Sequence, residues 1–261
     1  MTSAYTPTSG ILETAKNARG FVRENKKTMW RLWTPVIPYM IAIAVLGTLV
    51  EFFLGDNLPM AILLRGAETV IVMTLAISWH RLVIQGPQAT PMNPFHWTRN
   101  ETIFMAMAFG LSVAYVALVL VIGVVAVLLG LPKIIQSLLL MAGLLALAYA
   151  SLRFSFFFPA RAANRPLTLA QAYTLSRGYV WRMFWASVMA ALPTMLLLVV
   201  AGIAIGMVIG LVAAVLPVPG AVLILTFVLM LPLQLYFTPL LTALGVTVLS
   251  NYYRRATEQP D

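Results

Sequence analysis

An all-α polytopic membrane protein with six transmembrane helices is the fold class that this chain predicts, and three observations support it. The 261 residues are 61% hydrophobic and only 10% charged, and their mean hydropathy is +0.91. No Asp, Glu, Lys, Arg or His occurs from Met183 to Tyr253, which leaves room for two crossings of about 20 residues each. Proline and glycine clusters divide the preceding apolar sequence into four further runs.

The first 34 residues form a separate N-terminal region. Residues 1–10 have the composition of a flexible tail, and residues 11–33 alternate apolar with basic side chains. Such an amphipathic helix lies in the lipid headgroup layer, and Trp30 and Trp33 stand where an aromatic belt is expected. We favour this interfacial helix over a solvated lead-in. The region lacks the apolar core of a cleavable signal peptide, so the first span is expected to direct targeting.

Residues 35–250 are predicted to form the membrane domain, and residues 251–261 a second tail. The spans cover about residues 35–54, 58–84, 102–131, 134–158, 183–216 and 220–250, with turn-forming residues between them. Several exceed the minimal length and are expected to tilt or to project from the hydrocarbon core. A third crossing within the last two spans is rejected, because it would place Arg254 and Arg255 opposite the other basic residues.

The basic residues predict the orientation. With six spans and a cytoplasmic N-terminus, Lys133 lies outside and Arg65 lies within the second span, and all other Lys and Arg residues are cytoplasmic. The cytoplasmic set is Lys16, Arg19, Arg23, Lys26, Lys27, Arg31, Arg81, Arg99, Arg153, Arg161, Arg165, Arg177, Arg182, Arg254 and Arg255. This asymmetry follows the positive-inside rule, so both termini are expected in the cytoplasm.

Three short segments raise the question of an internal repeat. Arg19, Arg99 and Arg177 each precede a membrane hairpin, and they are 80 and 78 residues apart. A fold of three repeated hairpins is one interpretation. Coincidence is the other, because every hairpin benefits from a basic residue at its cytoplasmic boundary.

The loop between the fourth and fifth spans is the most structured sequence outside the membrane. Thr168 and Gln171 fit a capping box that starts a short helix, and Gly178 suits the position after its end. The expected contacts to anionic headgroups or to a partner are Arg161, Arg165, Arg177, Trp181 and Arg182. Ordinary positive-inside anchoring explains the same arginines, and we favour it over a dedicated site.

This loop also resembles a known family. The residues that match are Pro159, Ala170, Ala172, Tyr173, Leu175, Arg177, Gly178, Trp181, Arg182 and Phe184. They are similar to those of a bacterial six-span family, which includes the membrane domain fused to some glycerophosphodiester phosphodiesterases and stand-alone inner-membrane proteins of unknown function. The similarity extends over residues 30–255 as a six-span layout, but Asn164-Arg165 replaces an acidic residue that often precedes the small helix. The phosphodiesterase domain is absent from this sequence, so the resemblance implies an inner-membrane fold and not the hydrolase activity.

The second span carries Arg65 and Glu68 one turn apart. A rise of about 1.5 Å per residue places Glu68 near mid-bilayer, where ionisable groups normally face the bundle or a cavity. One interpretation is that Arg65 and Glu68 line a polar path, with Glu51 and Gln234 as further intramembrane polar residues. The other is that Arg65 and Glu68 form a structural pair that locks the first two spans. We favour the structural pair.

Small residues and prolines mark the last two spans. Gly202, Gly206 and Gly210 recur every four residues, which favours close helix packing over a functional groove. Pro232 and Pro239 flank Gln234 in the sixth span. We favour an isolated kink there over a broken helix that exposes carbonyls to a substrate.

The sequence contains no H-E-x-x-H, G-x-S-x-G or P-loop pattern, and no Cys for disulfides or thiolate metal sites. We therefore predict no enzyme activity, no cofactor and no bound metal. His80 and His96 are the only histidines, and we favour interfacial anchoring for them over metal binding or proton transfer.

Two functional hypotheses follow. The first is a non-catalytic component of the bacterial inner membrane, a scaffold, assembly factor or lipid-interacting module that contacts anionic headgroups on the cytoplasmic face. A membrane-protein partner or a second copy of the chain fits the same hypothesis, and no nucleic acid is expected. The second is a small transporter or channel, with Arg65 and Glu68 lining the path.

Overall fold

The computed structural model describes residues 10–55, 58–89, 95, 98–215 and 218–258. In chain order its helices are α1 (Ile11–Glu24), α2 (Lys26–Trp33), α3 (Ile37–Leu54), α4 (Leu58–Gln85), α5 (Arg99–Leu128), α6 (Lys133–Phe154), α7 (Phe157–Ala162), α8 (Leu169–Leu175), α9 (Val180–Val215) and α10 (Pro219–Glu258). Short 3-10 turns at Thr34–Val36 and Pro87–Ala89 follow α2 and α4. Within this described part of the chain, six helical segments are long and apolar enough to cross a membrane. The predicted all-α, multi-pass membrane fold is confirmed.

Two long helices extend beyond the predicted spans for local reasons. α5 begins at Arg99 instead of Thr102, because a capping box between Thr98 and Glu101 supplies partners for its first turn. α10 continues past residue 250 to Glu258. The side chains of Tyr252 and Tyr253 are buried in this extension, so packing holds the last turns in helical form.

α4 and α10 are the central helices of the bundle. α10 packs against α9, α4, α1 and α3, while α4 packs against α10, α5, α3 and α7. α6 contacts α5, α8 and α9. Consecutive long helices pack as three pairs, α3 with α4, α5 with α6 and α9 with α10; a repeat relationship among these pairs stays a prediction.

The two ends of the bundle differ in how tightly they are packed. We call the end that carries α1, α2, α7 and α8 the basic end, and the opposite end the far end. The largest fully buried side chains belong to the basic end and include Trp33, Trp79, Phe104, Phe156, Tyr252 and Tyr253. Towards the far end the helices expose large apolar side chains, among them Leu128, Val200, Ile203 and Leu211. Lipid tails solvate such side chains as well as a protein interior does.

α1 and α2 direct their apolar side chains towards the protein. The buried residues of α1 are Thr14, Ala15, Ala18, Phe21 and Val22, and α1 contacts α9 and α10. The single helix predicted over residues 11–33 is interrupted at Asn25, whose side-chain amide donates to the Phe21 carbonyl at 2.9 Å. The face that the sequence predicts to rest on lipid is therefore covered largely by the bundle.

Pro193 in α9 provides one attachment point for the N-terminal helices. Proline has no N–H, so the Met189 carbonyl four residues earlier loses its usual helical donor. Arg19 Nη1 of α1 donates to this carbonyl at 3.3 Å. The residue that the repeat hypothesis singled out thus satisfies a backbone group that the proline leaves open.

Pro239 in α10 provides a second attachment point in the same way. It deprives the Leu235 carbonyl of its helical donor, and Trp33 Nε1 of α2 donates to that carbonyl at 2.9 Å. α10 remains one helix through Pro232 and Pro239. The Leu235 carbonyl has its donor, so this position does not expose backbone to a substrate as a broken helix would.

The glycine stripe of α9 has no close neighbour among the described residues. A methyl group built on Gly202, Gly206 or Gly210 meets no described atom within 4 Å, so close helix packing through these glycines stays a prediction. The buried residues of α9, Val180, Met183, Ala186 and Ala190, all belong to its first half. The stripe lies beyond them, where α9 has left the tightly packed basic end. A close approach occurs instead at Gly66, where a methyl would come within 2.6 Å of the Phe109 ring.

Candidate functional site

A cleft of about 520 Å³ lies between α3, α4 and α10. Arg65 and Glu68 line it, and they lie about 10–15 Å along α4 from Leu58, so the cleft occupies the far half of the bundle. Most of its lining is apolar, with Met40, Ile43, Leu64, Leu223, Phe227 and Leu231 as the larger side chains. The volume is within the range of protein sites for small molecules.

Three polar side chains meet in this cleft. Arg65 Nη1 donates to one Glu68 carboxylate oxygen at 2.7 Å, and Gln234 Nε2 of α10 donates to the other oxygen. The sequence predicts the Arg65–Glu68 pair and leaves Gln234 as a separate candidate. The structure joins all three, and the carboxylate links α4 to α10 instead of locking the first two spans together.

The polar residues of the cleft are unequally accessible. The Arg65 side chain is 78% exposed, whereas that of Glu68 is 20% exposed. Glu68 is thus the inner, compensated charge, and Arg65 presents a cation at the edge of an apolar lining. A molecule with an apolar chain and an anionic or strongly polar group matches this combination.

The cleft ends towards the basic end in a closely packed floor. Met40 lines it and is 3% exposed, and the Trp33–Leu235 hydrogen bond lies next to Gln234 in the chain. Further towards the basic end, Trp79 donates to Thr247 Oγ1 at 2.8 Å. These contacts close the cleft towards the basic end.

The loop region at the basic end has the predicted local structure. The short helix is α8, and the Thr168–Gln171 capping box is present at its start. Gly178 follows it with φ +89°, a backbone conformation that costs glycine little and other residues more.

The predicted contact residues of this loop are not equivalent. Four are exposed at the basic end: Arg165, Arg177, Trp181 and Arg182. Arg161 is partly buried, and its Nη1 donates to Asn100 Oδ1 at 3.2 Å. Arg161 therefore joins α7 to α5, and the four exposed residues form the accessible surface.

The sequence analysis missed a buried ion pair at the basic end. Arg81 Nη1 of α4 lies 2.6 Å from Glu101 Oε1 of α5, with side chains only 9% and 3% exposed. Arg81 Nε also donates to the Ala162 carbonyl at 2.9 Å, and Gln85 donates to the Ala163 carbonyl at 2.9 Å. These side chains satisfy carbonyls at the end of α7 that have no helical partner.

The remaining candidates from the sequence are the two histidines and Glu51. His80 is 1% exposed, and its Nδ1 lies 2.7 Å from Ser250 Oγ, so the prediction of interfacial anchoring is wrong for this residue. It is a core residue between α4 and α10. The Glu51 side chain and His96 lie outside the described residues. Within the described ranges, no cluster of three or more His, Cys, Asp or Glu residues could hold a metal ion.

No family model, no curated protein and no solved structure matches this chain. The resemblance to the six-span family therefore stays a prediction from the loop residues.

Proposed function

We propose that this protein is a non-catalytic, lipid-interacting component of the bacterial inner membrane, with both termini in the cytoplasm. The orientation is supported by the basic residues, which fall on one side of the six-span topology with few exceptions. The basic end of the bundle then faces the cytoplasm, and the cleft belongs to the outer half of the membrane domain.

The cleft between α3, α4 and α10 is the observation that carries the lipid-interacting role. Its apolar side chains suit an acyl chain, and the exposed Arg65 suits a phosphate or carboxylate beside it. The neighbouring helix surfaces expose apolar side chains, so a lipid can reach the cleft from the bilayer. Glu68 and Gln234 are already paired with each other, and their role is to hold Arg65 and α10 in place.

Filling the cleft tests this proposal. Ala44 of α3 lines the cleft, whereas Ala42 lies on the exposed side of the same helix. Ala44→Trp should reduce the phospholipid that co-purifies with the detergent-solubilised protein, measured by mass spectrometry per mole of protein. Ala42→Trp makes the same substitution two residues away and should retain the wild-type amount. Equal lipid retention by both variants would contradict a lipid site in the cleft.

A small transporter or channel is the second candidate, because the carboxylate of Glu68 faces a cleft inside a membrane span. A path requires the packed floor at Met40 and Trp33 to open in another conformation. The test is proton or ion flux in proteoliposomes, followed with a pH-sensitive or ion-sensitive dye under an imposed gradient. Transport predicts flux in the wild type and its loss in a folded Glu68→Gln variant. Lipid binding alone predicts no flux above that of protein-free vesicles.

A further inference from the structure

Arg153 is a buried cation without a buried acid. It lies in the last turn of α6 at the basic end and is 7% exposed. Its Nε atom is enclosed and has no hydrogen-bond partner among the described residues. None of the ion pairs Arg65–Glu68, Arg81–Glu101 and Arg254–Glu258 includes Arg153.

Arg81 is a structural arginine at the same end of the bundle, and its partners can be compared with those of Arg153. Arg81 is also 7% exposed, but it has Glu101 at 2.6 Å and the Ala162 carbonyl at 2.9 Å. A buried charge left without a counter-ion destabilises a protein by several kcal/mol. The contrast between two equally buried arginines indicates that Arg153 obtains its anion from outside the chain.

The ring of Tyr173 in α8 stacks on one face of the Arg153 guanidinium. The guanidinium carbon lies 3.8 Å from the centre of the Tyr173 ring, which is a cation–π contact. Ser176 Oγ, at the end of α8, donates to the Arg153 carbonyl at 2.7 Å. The aromatic ring covers one face of the cation but accepts none of its in-plane N–H groups. The Nη groups, which are not enclosed as Nε is, fit the oxygens of a phosphate or carboxylate.

The surroundings of Arg153 favour an anion that belongs to a lipid. Tyr149, Tyr173 and Trp181 are 46%, 44% and 65% exposed, and the Tyr149 and Trp181 rings lie 6.5 Å apart. Exposed aromatic rings at the end of a membrane span are typical of the lipid–water boundary. The exposed Arg177 follows Ser176 directly and adds positive charge where α8 meets α6.

We propose that Arg153, stacked on Tyr173, binds the phosphate of an anionic lipid headgroup at the basic end of the bundle. The inference extends the proposed lipid interaction to a second, specific site on α6 and α8. It uses no residue of the cleft, so either proposal can fail while the other stands.

The test compares Arg153→Gln with Arg23→Gln, which removes the same charge from an exposed position of α1. Thermal unfolding of the purified protein is followed in detergent micelles while phosphatidylglycerol, phosphatidylcholine or inorganic phosphate is added. Wild type and Arg23→Gln should gain thermal stability from phosphatidylglycerol and less from phosphatidylcholine. Arg153→Gln should need roughly tenfold to a hundredfold more phosphatidylglycerol for the same shift, as the loss of one charge-assisted hydrogen-bond site predicts. An unchanged phosphatidylglycerol response in Arg153→Gln overturns the proposal.

Further arms of the experiment separate the remaining outcomes. An equal shift with inorganic phosphate alone would overturn the lipid assignment. If Arg153→Gln does not fold, Tyr173→Leu and Tyr173→Phe decide instead: Leu should weaken the phosphatidylglycerol response, and Phe, which keeps the ring, should preserve it. Equal responses from these two variants would count against the site. Ala44→Trp should keep the wild-type response, so loss of the cleft and loss of this site give different results.

Discussion

The buried ion pair between Arg81 and Glu101 allows a sharp test of how the basic end is stabilised. Glu101→Gln removes the negative charge but keeps an acceptor for the Thr98 N–H, so the capping box at the start of α5 is preserved. Arg81 is then left 7% exposed without its counter-ion. Breaking a buried pair from one side costs about 3–5 kcal/mol, because the remaining charge stays desolvated.

A matched control exists within the same helix bundle. Glu258→Gln makes the identical substitution in the Arg254–Glu258 pair near the end of α10, whose side chains are 20% and 36% exposed. A pair of this kind, four residues apart on one helix and beyond the predicted spans, contributes about 0–1 kcal/mol, so this variant should be close to wild type. The assay is equilibrium unfolding in mixed micelles, with helix content measured by circular dichroism.

The double variant Arg81→Met with Glu101→Gln completes the test. It removes both charges but keeps an acceptor for the Thr98 N–H, so no desolvated charge is left unpaired. The double variant should therefore recover part of the stability that Glu101→Gln loses, although the Ala162 carbonyl loses its donor. The reasoning is refuted if Glu101→Gln and Glu258→Gln lower the free energy of unfolding equally, or if the double variant is less stable than Glu101→Gln.

Two further predictions use the same unfolding assay. Trp33→Phe should lower the free energy of unfolding by about 1–3 kcal/mol, because it leaves the Leu235 carbonyl without a donor. In a Pro239→Ala background the backbone N–H is restored, so the loss caused by Trp33→Phe should be smaller. An equal loss in both backgrounds would contradict this account. Gly206→Ala should not lower the free energy of unfolding, because the added methyl meets no described atom within 4 Å. A clear loss would show that the glycine stripe is packed.

The six spans follow from the sequence because hydrophobicity and helix length are local properties. Roughly 20 apolar residues must form a helix in lipid, whatever packs beside them. The capping box at Thr168 and the positive φ of Gly178 are predictable for the same reason, since each depends on a few consecutive residues. The Arg65–Glu68 pair is also local, one helical turn apart.

The sequence alone does not determine which distant segments contact each other. Glu101 is the only acidic residue between Glu68 and Glu258, so a buried partner was foreseeable in principle, but nothing local selects Arg81 from the many arginines at that end. An amphipathic pattern in residues 11–33 states that one face is apolar without stating whether lipid or protein covers it. The glycine stripe of α9 has the same ambiguity, because close packing requires a second helix at the same depth.

The position of the cleft follows from how α3 is anchored. At the basic end, Val36 and Met40 are 0% and 3% exposed, and the Trp33–Leu235 bond holds the preceding turn on α10. Other side chains of α3 face away from the bundle, and Tyr39 and Leu46 are 53% and 52% exposed. Ala44, Gly47 and Thr48 of this helix line the cleft together with Glu68 and Gln234, so the anchor of α3 helps to set the width of the cleft. Loosening the anchor should therefore change lipid retention in the cleft although Trp33 itself does not line it, and this links the proline-dependent contact to the proposed function.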